Sequence, residues 1–176
     1  VWFEMPYAAC VHDFAVTDEW VIFPFFPLIT PDSDTLKTGS SYFQWNPDQE
    51  VHVALVPRYG TAEGIRWFKG PATSAGHMMN AHRDGQKIHL DLCLYEGNCF
   101  PFFRTPAGET TPMVPPFLTR MTFDLARNEQ DFGTARLMGP SCEMPRTDDR
   151  YQGRPYRHGY MIVYRSKDGS SAIGHI

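Results

Sequence analysis

The chain of 176 residues carries 42% apolar and 20% charged side chains, the composition of an ordinary globular unit able to bury a core. Its 16 Lys and Arg against 20 Asp and Glu leave a net charge of −4, which argues against a non-specific binder of nucleic acid or anionic membranes. The longest apolar run, residues 21–29, contains two prolines and is too short to span a bilayer, so no integral membrane segment is expected.

Strand-like runs follow in chain order at residues 9–16, 20–25, 51–56, 88–94, 118–125 and 160–164. The clearest is 88–94, where Ile88, Leu90, Leu92 and Leu94 alternate with His89 and Asp91, the period of two of a half-buried strand. Turn clusters separate the runs: Thr17-Asp18-Glu19, Asn46-Pro47-Asp48, Arg83-Asp84-Gly85, Pro106-Ala107-Gly108 and Lys167-Asp168-Gly169. Two longer proline-rich connections occupy 26–47 and 99–116, and scattered Pro and Gly leave almost no window for a long helix. The chain therefore reads as all-β. A sandwich, a barrel or the blades of a propeller all fit the periodicity.

There is no close internal repeat and no linker-like break, so residues 1–176 are expected to form one domain or part of one. The ends at Val1 and Ile176 point to a segment of something longer. Cys10, Cys93, Cys99 and Cys142 have no CxxC spacing and are too few for a disulfide framework, so reduced, buried thiols are expected. With no Asn-x-Ser/Thr acceptor and no secretory signal pattern, the expected compartment is the cytoplasm.

Several residues invite chemistry. On a strand over 9–16, His12 would share a face with Cys10 and Phe14; His77 lies among small residues and methionines in Ser74-Ala-Gly-His-Met-Met-Asn80. Each is either a metal ligand or a core histidine satisfied by a backbone carbonyl. His52, His82, His89, His158 and His175 read as surface or structural residues, with His82, His158 and His175 in or beside turn-rich stretches. Glu143, in Cys142-Glu-Met-Pro145, is by itself an exposed strand-end carboxylate; its functional reading is an acceptor of a hydrogen bond from a ligand histidine. Arg146, Arg150, Arg154 and Arg157 alternate with tyrosines, but Asp148 and Asp149 make a solvated turn with internal ion pairs the better account. Phosphate-loop, Rossmann, nucleophile-elbow and zincin motifs are absent.

Three blocks give the chain a recognisable pattern. The first is Val11-His-Asp-Phe-Ala-Val-Thr17, followed by Val21-Ile-Phe-Pro-Phe-Phe-Pro-Leu28. The second is Ile65-Arg-Trp-Phe68, leading to Gly76-His-Met-Met-Asn-Ala81 and Asp91-Leu-Cys93. The third runs from Cys142-Glu-Met-Pro-Arg-Thr147 to Tyr156-Arg-His-Gly-Tyr160. In order and spacing they resemble the carotenoid cleavage oxygenase superfamily, and within it the lignostilbene dioxygenase branch.

That resemblance implies the middle blades of a seven-bladed β-propeller with long loops contributing to a substrate-side cap. It also implies a non-haem Fe(II) centre held by four histidines, of which His12 and His77 would be two, with Glu143 bonded to His77 and the other two ligands outside this chain. His175 stands in a context that does not match the fourth ligand. Four neutral imidazoles suit divalent iron and leave coordination positions open. The implied reaction uses O2 to cleave the C=C bond of a small aromatic olefin, a stilbenoid or related 4-hydroxyphenyl olefin, to aldehydes. The aromatic run Phe100, Phe102 and Phe103 would line the substrate pocket. Gly76 and Met78 depart from the residues many relatives carry, and the tyrosine and lysine that grip the phenol in this branch are expected upstream. The alternatives are an apocarotenoid-cleaving member with the same centre, and a non-catalytic propeller scaffold in which both histidines are core residues.

Overall fold

The computed structural model describes residues 1–164 and 170–176; the expected turn at Lys167-Asp168-Gly169 lies outside the described residues. Its strands are β1 (Ala15–Val16), β2 (Trp20–Phe25), β3 (Leu28–Ile29), β4 (Gln44–Trp45), β5 (Val51–Pro57), β6 (Arg66–Gly70), β7 (Ser74–Asp84), β8 (Lys87–Tyr95), β9 (Pro116–Asp124), β10 (Gly133–Arg136), β11 (Cys142–Thr147), β12 (Gly159–Tyr164) and β13 (Ser171–His175). One short helix, α1 (Ser33–Lys37), sits in the first proline-rich connection, capped by the Asp32 carboxylate, which accepts from the Asp34 and Thr35 N–H groups.

Sequential antiparallel pairing sorts these strands into three meanders: β1-β2-β5-β6, β7-β8-β9-β10 and β11-β12-β13. They are successive blades of a β-propeller. The strand β7 packs against both β1 and β11, which brings three blades to one place. The small β3-β4 ribbon and α1 fill the excursion between β2 and β5.

Blade stacking explains which alternations are buried. Ile88, Leu90, Leu92 and Leu94 face the first blade, joining Val53, Leu55 and Phe68 in one core, where Phe68 and Phe123 rings lie 5.1 Å apart. The other face of β8 contributes Cys93 to a second core with Met79, Leu118, Cys142 and Met161. The expectation of a half-buried β8 is thus corrected, since a blade is covered on both faces. Asp91 on this second face is fully buried. Burying a carboxylate is costly unless it is paired, and here the cross-strand neighbour Arg120 holds it at 2.7 and 2.8 Å while the Tyr156 hydroxyl donates at 2.5 Å.

One further expectation changes. Residues 9–16 do not form one strand: Ala15 and Val16 pair with β2, Ala9 bridges to Ile29, and residues 10–14 between them are irregular. His12 therefore shares no strand face with Cys10 and Phe14. His82, two residues before the end of β7, takes the structural of its two readings: it is buried, its ring 5.1 Å from that of His89. The arginine-rich turn is solvated as expected, with Arg150 paired to Asp148 at 2.5 Å.

Candidate metal centre

The site begins with an irregularity in β7. Its pairing with β8 shifts register twice, between Ala75 and Met78 and again between Met78 and Asn80. Bulges of this kind re-aim a side chain, and His77 lies inside the first of the two shifts. Its ring Nδ1 lies 2.9 Å from Glu143 Oε2 on β11. A carboxylate only accepts, so Nδ1 carries the proton and Nε2 presents its lone pair, the tautomer a metal ligand needs.

Glu143 is 5% exposed, which overturns its reading as an exposed strand-end carboxylate. Three donors converge on it. Besides His77, the Met144 N–H donates to Oε2 at 2.6 Å and the Tyr95 hydroxyl donates to Oε1 at 3.2 Å. The first of these bends the backbone: Met144 sits at φ 54°, a left-handed conformation unusual for a side-chain-bearing residue, beside a register shift between β11 and β12. Burial, and then the neighbouring Glu143 charge, push the Tyr95 hydroxyl up, so it stays a donor. Room for the carboxylate comes from Gly76, where a Cβ would stand 2.2 Å from Glu143 Oε1.

His12 reaches the same place from the irregular segment before β1. Its ring centroid lies 5.3 Å from that of His77, with the planes at 71°, and it is exposed. The next residue, Asp13, accepts from the Met78 N–H at 2.9 Å and from the Phe14 N–H at 2.9 Å. Phe100 closes one side, its ring 6.3 Å from His12 and nearly perpendicular to it. Phe102 and Phe103 stand behind Phe100; Phe102 is 71% exposed and Phe103 packs on Phe43. A crevice beside His12 is lined by Cys10, Ser74, Ala75, Cys99 and Phe100. All four cysteines are free; Cys93 and Cys142 are fully buried, whereas Cys10 and Cys99 are half-buried, a correction to the expectation of uniform burial. Burial pushes the Cys99 thiol up to about 11 and also raises Cys10, so both are thiols at neutral pH.

The donor chemistry fits a borderline divalent transition metal: two imidazoles, one with its tautomer set by a buried carboxylate. Among the described residues no group of three or more His, Cys, Asp or Glu is arranged to hold a metal, so a metal here would take its other donors from outside this set. His175 is elsewhere, bonded to His158 at 2.9 Å and beside Tyr160. Asp13 and Tyr95 carry no signal of their own in the sequence; Asp13 adjoins His12, and Tyr95 ends β8. Gly76 stands out there only as a departure from the residues many relatives carry, not as room for a carboxylate.

Comparisons with known proteins converge. The family profile described as retinal pigment epithelial membrane protein (RPE65) matches residues 1–176. Lignostilbene-α,β-dioxygenase isozyme III of Sphingomonas paucimobilis is 41% identical over 169 residues, covering 92% of this chain and 34% of that protein. Isoeugenol monooxygenase of Pseudomonas putida is 36% identical over 166 residues, with 92% and 34% covered. The crystal structure of Pseudomonas brassicacearum lignostilbene dioxygenase superposes with a TM-score of 0.90 at 41% identity, over 95% of this chain and 35% of that one. Cobalt-substituted Synechocystis ACO, at 24% identity and a TM-score of 0.72 over 94% of this chain and 38% of that one, shares the fold. The chain spans about a third of the length of these curated relatives.

Proposed function

The chain belongs to the RPE65 and carotenoid cleavage oxygenase family, and on that premise we propose that the protein is an Fe(II)-dependent oxygenase that cleaves a C=C bond conjugated to a hydroxylated aromatic ring, using O2 and giving carbonyl products. Residues 1–176 are then a part of its single propeller domain, the middle blades of seven. One observation carries the metal-site reading: a buried carboxylate from one blade sets the tautomer of His77 on the blade before it, 5.3 Å from the ring of His12. A core histidine satisfied by a backbone carbonyl would leave Glu143 without a reason to be buried there. The substrate class follows the relatives, whose names include a lignostilbene dioxygenase, isoeugenol monooxygenases and a resveratrol cleavage oxygenase.

His12 and His77 hold the iron through neutral imidazole nitrogens, and Glu143 keeps the proton of His77 on Nδ1. Non-haem iron, when bound, supplies the one-electron chemistry through which dioxygen reacts. Tyr95 and the Met144 N–H fix the carboxylate, and Phe100 offers an aromatic wall beside His12 against which a flat olefin can pack. The test is to incubate the full-length protein, reconstituted with ferrous iron in air, with 4-hydroxystilbene and with isoeugenol, and to follow aldehyde release by chromatography. Aldehyde from either, lost on removing iron and restored on adding it back, is the expected result. Iron uptake without cleavage of these olefins or of an apocarotenoid would sink the proposed activity.

A further inference from the structure

His12 is the less anchored of the two candidate ligands. It lies on an irregular stretch, residues 10–14, whose ends are pinned by the Cys10 N–H donating to Leu28 O at 2.8 Å and by the pairing of Ala15 with Ile22. His77, by contrast, is built into a long strand and tied to Glu143. A metal held between two such elements needs their separation fixed before it arrives, because ligand geometry left free must be ordered on binding.

Asp13 meets that requirement. Its Oδ2 accepts from the Met78 N–H across the gap at 2.9 Å, while Oδ1 accepts from the Phe14 N–H at 2.9 Å, so the carboxylate is held at both oxygens. The tie joins the residue after His12 to the residue after His77. Met78 sits between the two register shifts of β7, where its N–H turns to Asp13. The same irregularity that re-aims His77 thus supplies the donor that holds the His12 segment.

We propose that Asp13 is a positioning residue: through its bond to the Met78 N–H it sets the His12 segment against the β7 bulge and so fixes the distance between the two histidines. This rests on the reading of His12 and His77 as ligands. It predicts that the acceptor oxygen matters and the negative charge does not. Asp13→Asn keeps an oxygen for the part-buried Met78 N–H and gives up only the bond from the exposed Phe14 N–H, which water can take over; Asp13→Ala removes both acceptors, and Asp13→Ser keeps a small polar side chain too short to span the gap.

The experiment loads the full-length protein and its variants with cobalt(II) and reads affinity by titration and ligand geometry from the visible d–d absorption bands. The Ile88→Val variant, altered in the core far along β8, serves as a control that lowers stability without touching the site. The expected result is weaker cobalt affinity by about 10- to 100-fold with shifted bands for Asp13→Ala. Asp13→Asn should stay near wild type, and Ile88→Val should keep wild-type affinity and bands. If Asp13→Ala does not fold, Asp13→Ser carries the same expectation. Wild-type affinity and bands in the variant lacking the acceptor would overturn the assignment of Asp13 while leaving the ligand reading intact. An Asp13→Asn variant as impaired as Asp13→Ala would overturn it too, by showing that the one oxygen offered to the Met78 N–H is not what counts. A wild-type protein that takes up no cobalt, or a His12→Ala variant that binds it normally, would overturn the ligand reading itself and the role of Asp13 with it.

Discussion

At the scale of single residues, the site is a chain of acceptors and donors, each with a measurable consequence. His12→Ala or His77→Ala in the full-length protein should abolish iron occupancy, assayed as metal per chain after desalting. Glu143→Gln should leave the fold intact and weaken iron affinity or rate by about 10- to 100-fold, because an amide in place of the carboxylate faces a Met144 N–H and a Tyr95 hydroxyl with one acceptor fewer. Gly76→Ala tests the same point from the other side. Its Cβ would stand 2.2 Å from Glu143 Oε1, so the carboxylate must move, and iron content should fall as it does for Glu143→Gln. Unchanged iron content in Gly76→Ala would show that the carboxylate has somewhere else to go. His12, His77 and Glu143 were legible because each stands in a recognisable block. Asp13 and Tyr95 were not, because what they do depends on a bulge and on a neighbouring blade, and neither is written locally.

At the scale of strands, the alternating run of β8 was legible, and what the period could not convey was that its second face is covered as well. Asp91 shows the difference: a charged residue on the alternate face signals solvent in an isolated sheet, but here Arg120 and Tyr156 take its place. Asp91→Ala would leave the Arg120 guanidinium without its partner in a largely covered position, and should cost roughly 3 kcal/mol, read as a lower denaturation midpoint. His82 and His89, side by side on β7 and β8, are both shifted down by burial and then by the Arg120 charge, against a smaller opposing pull from Asp91 and Asp84. Their neutral forms are favoured in the folded state. The unfolded chain therefore binds protons first as pH falls below the ordinary histidine value of about 6.5, and stability drops there. The thermal midpoint of the protein should fall between pH 7 and pH 5.5, and His82→Gln should flatten that fall. The strand expected over 9–16 failed for a related reason, since Asp13 bonds to a strand of another blade rather than continuing its own.

At the scale of the molecule, the three meanders stack through aromatic and aliphatic faces, and Phe68 and Phe123 are fully buried rings that meet at the first seam. Phe68→Ala should destabilise by roughly 3–5 kcal/mol, with the loss seen in thermal unfolding and with the candidate ligands untouched. All-β character was legible from punctuation and period. The choice of propeller came only from the order of the three blocks, since periodicity describes one strand's two faces and not how blades follow one another. The convergence on β7 has a consequence for how the protein matures. Hairpin neighbours such as β7 and β8 meet early, across the Gly85-Gln86 turn, whereas β2 and β5 must wait for residues 26–50 to close. His12 and Glu143 come from blades on either side of β7, so the candidate centre exists only once both have docked. A metal bound there would add its binding free energy to the docked state alone. Chelation should then shorten the lifetime of the assembled blades, and metal content would report how much of a preparation had finished folding.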